Sequence, residues 1–134
     1  MKMKSFILAI AVLLSVSSCD NSIEANIKDG AYSGTFYRSN PGVKYTTAKV
    51  SITLKDNTFE GGSDTNRYPT ICKGTYKISG EEIEFTNSCG PWTADFDWSL
   101  IISGKFQITT EGDKVRLTRN YDGGFYDRYE LKMQ

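Results

Sequence analysis

The chain of 134 residues contains no histidine, and this absence excludes more than any other feature of its composition. Without histidine there is no Ser-His-Asp or Cys-His nucleophile, and the commonest metal ligand is missing. Three cysteines are too few to complete a four-ligand zinc site on their own. Basic and acidic residues number 16 each, with no basic cluster, which argues against a nucleic-acid partner. The composition therefore predicts no metal site and no cofactor.

The N-terminus reads as a signal peptide over residues 1–18. Lys2 and Lys4 precede an apolar run that is too short to span a bilayer. The run leads into Val16-Ser17-Ser18-Cys19. This motif resembles the bacterial lipobox, with an aliphatic residue three places before the cysteine and small residues between them. The resemblance implies that signal peptidase II cuts before Cys19 once its thiol carries a diacylglycerol; an ordinary secretory signal with an incidental cysteine is the alternative.

Three parts of the chain follow from this interpretation. Residues 1–18 are the signal peptide, residues 19–29 are the lipidated N-terminus and a polar tether, and residues 30–134 form one domain of ordinary size. Acyl chains on Cys19 would anchor the protein firmly in a membrane. We expect a monomer at the bacterial cell envelope, in the outer membrane rather than the inner.

The domain alternates between apolar and polar residues, as β-strands do, and lacks a convincing helical period. Short gaps between the strands predict an antiparallel meander. Closure into an up-and-down barrel would remove both edges of the sheet, whereas a two-sheet sandwich is the alternative. The eight predicted strands are 31–38, 45–55, 58–63, 72–79, 82–89, 96–109, 114–121 and 125–133.

The hairpin around the Gly-Glu turn at 80–81 is the best specified. Glycine at the first central position indicates a two-residue type II′ turn, which fixes the register and pairs Tyr76 with Phe85. The same register sets Cys72 opposite Cys89, within reach of a disulfide. Two spare cysteines in an exported protein point to the same bond. We therefore predict a structural Cys72–Cys89 disulfide.

The last hairpin predicts a charged pair on an apolar face. The Asp-Gly-Gly sequence at 122–124 suits a three-residue loop, which places Arg119 opposite Asp127. By this reading they are the only charged side chains directed into the barrel. The pair is either a polar anchor for an anionic or hydroxylated ligand at the barrel mouth, or a self-satisfied ion pair that closes the end.

The hairpin before it is assigned a turn at Glu111-Gly112. That turn pairs Ile108 with Val115 and sets Gly104 opposite Arg119. The absence of a side chain at Gly104 would leave space for the long arginine side chain. A fourth hairpin, with its turn at Asp56-Asn57, is predicted to pair Leu54 with Phe59.

The first strand, Gly30-Ala31-Tyr32-Ser33-Gly34-Thr35-Phe36, resembles the opening of a lipocalin-type barrel, with Tyr32 where lipocalins place tryptophan. The segment from Trp92 to Gly104 resembles small, functionally uncharacterised lipocalin-like lipoproteins of Bacteroidota. Together with the lipobox and the final strand, the resemblance covers most of the chain. The resemblance implies a barrel and an envelope location, but it implies no particular activity.

Aromatic residues supply the remaining candidate ligand contacts. Strand parity directs Tyr32, Phe96, Trp98 and Tyr129 inward, and Trp92 could stack on a sugar ring. Core packing is the alternative for each of them. The acidic pairs at 95/97 and 82/84 read as solvent-facing and do not flank a common site, so we expect no enzymatic activity.

The function predicted from these features is a membrane-anchored, non-enzymatic barrel that binds a small amphipathic molecule or a glycan fragment. The alternative is a protein-binding or inhibitor module that acts through its loops, in particular 64–71 or 90–95. An envelope protein with no dedicated ligand is a third possibility.

Overall fold

The structure, a computed structural model, describes residues 27–134. The predicted signal peptide, Cys19 and most of the tether lie outside the described residues. Eight antiparallel strands form one closed barrel in sequence order, which confirms the up-and-down barrel over the sandwich. The strands are β1 (Gly30–Ser39), β2 (Thr47–Lys55), β3 (Thr58–Ser63), β4 (Lys73–Ser79), β5 (Glu82–Asn87), β6 (Gly104–Glu111), β7 (Lys114–Asn120) and β8 (Tyr126–Met133).

Alternating burial along each strand produces the barrel. In β2, Ala48, Val50, Ile52 and Leu54 are buried while the residues between them are exposed. β1 and β8 pair along eight positions and so close the sheet. Gly34 lies at this junction, where a Cβ atom would lie 1.8 Å from the backbone oxygen of Glu130. The absent side chain therefore allows the first and last strands to approach.

Three of the four hairpin registers agree with the sequence prediction. β4 pairs Tyr76 with Phe85, and Gly80 has a φ of +61° as a type II′ turn requires. β7 pairs Arg119 with Asp127. The hairpin between β2 and β3 turns at residues 56–57, both with positive φ.

The fourth register was predicted wrongly. Ile108 pairs with Leu117 rather than Val115, because the turn is Gly112-Asp113 and not Glu111-Gly112. Gly112 has a φ of +61°, so it occupies the first central position of its turn as Gly80 does. The error is two residues, and strand faces alternate with a period of two, so the inward side chains of β6 and β7 were still assigned correctly.

The predicted disulfide is confirmed. Cys72 and Cys89 are bonded, with their Cα atoms 6.3 Å apart. The β4–β5 ladder ends at Gly74 and Asn87, so both cysteines lie just beyond the strands. The bond closes a loop across this hairpin and should stabilise the fold by on the order of 3 kcal/mol.

The predicted strand over 96–109 is wrong in its first half. β6 begins at Gly104, and Trp98–Leu100 form a 3-10 helix. Asp97 caps this helix, because its carboxylate accepts a hydrogen bond of 2.9 Å from the Ser99 backbone. Ile101 and Ile102 are then buried consecutively, which no strand alternation allows.

The two ends of the barrel differ in the length of their connections. At the tight-turn end, two-residue turns lie at 56–57, 80–81 and 112–113, and the chain enters β1 there at Gly30. The opposite, long-loop end carries the connections 40–46, 64–72, 88–103 and 121–125. Because neighbouring strands are antiparallel, all four long loops lie away from the point where the tether joins the barrel. Within residues 27–134, no helix is long and apolar enough to cross a membrane.

Candidate functional site

A buried carboxylate organises the inside of the barrel at the long-loop end. Asp127 is only 1 % exposed, and Arg38 donates to both of its oxygens, from Nε at 2.6 Å and from Nη2 at 2.9 Å. The Tyr121 hydroxyl donates to Asp127 at 2.7 Å, and Arg119 Nη2 does so at 3.4 Å. The bidentate contact from Arg38 is the strongest hydrogen-bond geometry available to an arginine–carboxylate pair.

Arg38 was missed by the sequence analysis. It lies opposite Asp127 across the β1–β8 junction, and it shares the inward parity of Tyr32 and Phe36 on its own strand. Arg119 and Asp127 do face each other inside the barrel as predicted, but the statement that they are the only inward charges is wrong. The period-two pattern of β1, extended by one more position, would have identified Arg38.

Arg38 and Arg119 also donate hydrogen bonds to the 88–103 loop at the long-loop end of the barrel. Arg38 Nη1 donates to Asp97 and to the Ser99 hydroxyl, each at 2.9 Å. Arg119 donates to the backbone oxygens of Ser99, at 3.0 Å, and Ser103. Two guanidinium groups thus meet two carboxylates, so charge within the cluster is balanced and its main contacts are internal.

The electrostatics of the cluster follow from this arrangement. The hydrogen bond to Asp127 raises the pKa of Arg38 above its ordinary value, although burial opposes it. Burial, with the neighbouring Asp127, raises the pKa of Tyr121 to about 12. The Ser99 hydroxyl, with help from Arg38, lowers the pKa of Asp97 below its ordinary value. At neutral pH the tyrosine is therefore a donor and Asp97 an acceptor.

The interior below the cluster is filled with side chains. One pocket of the interior, lined by residues such as Ile52, Ile83 and Leu117, has a volume of about 10 Å³. That is about the space one water molecule needs, so this pocket has no room for a small amphipathic ligand. Phe36 and Phe106 pack against Tyr129 with ring centroids 4.8 and 5.6 Å away.

The two inward tyrosines predicted as ligand contacts lie in this core and are separated along the barrel. Tyr32 and Tyr129 are 4 % and 2 % exposed. The Tyr32 hydroxyl donates to the Lys28 carbonyl oxygen at 2.6 Å, near the tight-turn end. Six residues along β1 separate it from Arg38, or about 20 Å. The structure therefore does not bring Tyr32 together with the Arg119–Asp127 pair.

The two tryptophans lie outside the barrel interior, which corrects the prediction for Trp98. Trp98 is 56 % exposed, on the 3-10 helix, and its indole N–H donates to the Thr93 oxygen at 2.8 Å. Trp92 is half-buried against Phe96, with ring centroids 5.7 Å apart. Phe96 was also predicted to point inward from a strand, but it lies in the 88–103 loop, with the Arg67 guanidinium 5.1 Å from its ring.

Exposed apolar side chains concentrate at the long-loop end. Val43, Tyr45 and Trp98 are the large hydrophobic residues that are more than half exposed within residues 27–134, at 63 %, 51 % and 56 %. All three lie in long loops. The turn Asn40-Pro41-Gly42-Val43 is closed by a hydrogen bond of 3.1 Å from the Val43 N–H to the Asn40 oxygen, with a φ of +81° at Gly42.

Tyr45 belongs to a second cluster, on the outer face of β1 and β8, that the sequence analysis did not identify. We call Tyr37, Tyr45, Tyr126 and Arg128 the outer tyrosine patch. Tyr37 stacks on Tyr45 with centroids 4.9 Å apart and meets Tyr126 edge-on at 6.2 Å. The outward parity of β1 and β8 could have placed Tyr37, Tyr126 and Arg128 on one face, whereas the position of Tyr45 depends on its loop.

No grouping of acidic or cysteine side chains suited to a metal ion occurs in the described part of the chain. No family model, curated protein or solved structure matches this sequence.

Proposed function

We propose that this protein is a membrane-anchored lipoprotein whose barrel is a non-enzymatic module that binds a protein partner through its long-loop end. The observation that carries the proposal is the location of Val43, Tyr45 and Trp98, which gather at that end while the interior is filled. Exposed apolar clusters on soluble domains commonly mark interaction sites. Tyrosine and tryptophan are also enriched among the residues that dominate binding energy.

The position of the tether supports this orientation. The lipobox-like motif at Cys19 would place a lipid close before the barrel, and the chain enters β1 at the tight-turn end. The long loops would then face away from the membrane surface, where a partner can reach them. The resemblance to lipocalin-like lipoproteins agrees with this location.

The polar cluster at the mouth supports a scaffold role rather than a catalytic one. Asp127 and Asp97 are both engaged by Arg38, and Asp127 is nearly inaccessible. A general acid or base needs a position within hydrogen-bond reach of its substrate. The cluster instead fixes the 88–103 loop, on which Trp98 is exposed.

The lipid anchor is tested by the mass of the mature protein. For the full-length chain produced in a bacterial host, we expect an N-terminus at Cys19 and an added mass that corresponds to diacylglycerol. The Cys19→Ala variant should lack this addition, because no thiol remains to receive it. Intact-mass spectrometry of the membrane fraction measures both. An unmodified mature N-terminus in the wild-type chain would contradict the anchor.

The binding surface is tested by photo-crosslinking in the native bacterium. A photoreactive amino acid at Val43 or Trp98 should give a discrete adduct of protein mass. The same amino acid at Glu81, an exposed residue of the tight-turn end, is the matched control and should give none. Equal adducts from both ends, or none from the long-loop end, would contradict the proposal. A co-purifying adduct of a few hundred daltons, seen by native mass spectrometry, would instead favour a small-molecule ligand.

A further inference from the structure

Arg128 differs from the other arginines in having no acidic partner among residues 27–134. The chain contains five arginines, all within residues 27–134. Four form ion pairs with aspartate or glutamate at distances of 2.6–3.6 Å: Arg38, Arg67, Arg116 and Arg119. Within the described residues, no carboxylate lies within 4 Å of the Arg128 guanidinium. Its charge is therefore not neutralised by a neighbour.

The outer tyrosine patch holds this guanidinium in place. Arg128 lies directly opposite Tyr37 in the β1–β8 ladder, and its Nη1 donates to the Tyr37 hydroxyl at 3.1 Å. The guanidinium carbon is 4.7 Å from the centre of the Tyr126 ring. Its Nε is buried and has no hydrogen-bond partner in the part of the chain that the structure describes. A charge fixed over aromatic rings is partly shielded from water, which strengthens its attraction for an anion.

The residue that could neutralise Arg128 is already engaged. Glu130 follows two positions later on the same outward face of β8, and it pairs with Arg116 at 3.3 Å. Within the patch Tyr45 is 51 % exposed, and Val43, two residues before it in the 40–43 turn, is 63 % exposed. A positive group thus lies beside an apolar surface, held in a set geometry before any partner arrives.

We propose that the outer tyrosine patch binds a protein segment that carries a glutamate or aspartate beside an apolar side chain. The carboxylate would accept hydrogen bonds from Arg128, which suits a forked guanidinium, and the apolar side chain would pack on Tyr45 and Val43. The inference rests on the proposed function and adds the chemistry of the partner. It also assigns Arg128 as the specificity-determining residue.

The arrangement of the rings favours a protein over a polysaccharide. Tyr37 and Tyr45 stack face to face, with 27° between their planes, so they do not form a flat strip for successive sugar rings. The barrel is closed, so the partner cannot add a strand to an open sheet edge and has to dock through side chains. Tyrosine and arginine are the residue types that most often anchor such contacts.

The test is an NMR titration of the detergent-solubilised full-length protein with N-acetyl-Glu-Leu-amide. We expect saturable shifts of the Arg128 Nε–H and the Tyr45 ring. The glutamine analogue should bind at least about tenfold more weakly, because it lacks the charge that strengthens the hydrogen bond. Equal binding of both peptides, or no saturable shift, would overturn the proposal. Tighter binding of glucuronic acid than of the acidic peptide would replace the protein partner with an acidic glycan.

Variants of two arginines separate this site from general charge effects. Arg128→Gln should abolish the shift of the Tyr45 ring, and Arg128→Lys should retain a weaker shift because lysine keeps the charge but not the planar guanidinium. Arg67→Gln, an exposed arginine paired with Asp95 and independent of Glu130, is the matched control and should bind as the wild type does. Thermal unfolding of each variant verifies the fold. If photo-crosslinks at Val43 and Trp98 persist unchanged in Arg128→Gln, the proposed function stands and this inference fails.

Discussion

Replacing Asp127 with asparagine should lower the free energy of unfolding by about 3–5 kcal/mol. The amide preserves the size of the side chain but leaves Arg38 and Arg119, which are 16 % and 20 % exposed, without their shared carboxylate. Removing one partner of a buried ion pair is costly because the remaining charge stays desolvated. Denaturant unfolding, followed by circular dichroism, measures the loss.

The control for this variant is Asp95→Asn. Asp95 also pairs with an arginine, Arg67 at 3.6 Å, but its side chain is 75 % exposed. Solvent screens such pairs, so we expect a change below about 1 kcal/mol. A loss of similar size in both variants would show that burial does not set the strength of the Asp127 network.

We also expect the Asp127 variant to be cleaved faster by protease within 88–103, because Arg38 and Arg119 hold that segment.

Replacing Phe106 with alanine should cost about 3–5 kcal/mol. Phe106 is 1 % exposed, and its ring packs edge-on against Phe85 and Tyr129 at 5.8 and 5.6 Å. It also supports Arg119, whose guanidinium carbon lies 4.5 Å from the ring centre. The truncation therefore opens a cavity in the core and removes the aromatic ring on which the Arg119 guanidinium packs. Equilibrium unfolding measures the combined effect.

Two further variants divide that effect into its parts. Phe106→Leu keeps most of the apolar volume but removes the aromatic face under Arg119, so we expect a smaller loss than for alanine. Gln107→Ala, at the exposed neighbouring position, should change stability by less than about 0.5 kcal/mol. If alanine and leucine cost the same at position 106, the contribution would come from the aromatic contacts rather than from filled volume.

Much of the fold could be predicted because its rules are local. Alternation with a period of two identifies strands and inward faces without knowledge of the rest of the chain. Glycine at position 80 and the pair of glycines at 123–124 select turn types, and each turn fixes a register. The Cys72–Cys89 bond followed directly from one of these registers. The same glycine rule, applied at Gly112, would have given the fourth register as well.

The prediction failed where a side chain takes its partner from a distant part of the chain. The 96–103 segment alternates like a strand, yet Asp97 caps a 3-10 helix and Thr70, from another loop, bonds the backbone beside it at 3.0 Å. Trp98 is exposed for this reason. Arg38 is 89 residues from Asp127, and only closure of β1 on β8 brings them together.

The sequence by itself determined most of the strands, most registers, the disulfide and most inward faces, because periodicity and turn chemistry act over a few residues. Tertiary structure alone decided that the interior is filled, that Arg38 joins Arg119 on Asp127, and that Arg128 lies among tyrosines with no described carboxylate beside it. These outcomes depend on how strands and loops far apart in the sequence meet when the barrel closes, and no local pattern encodes that meeting.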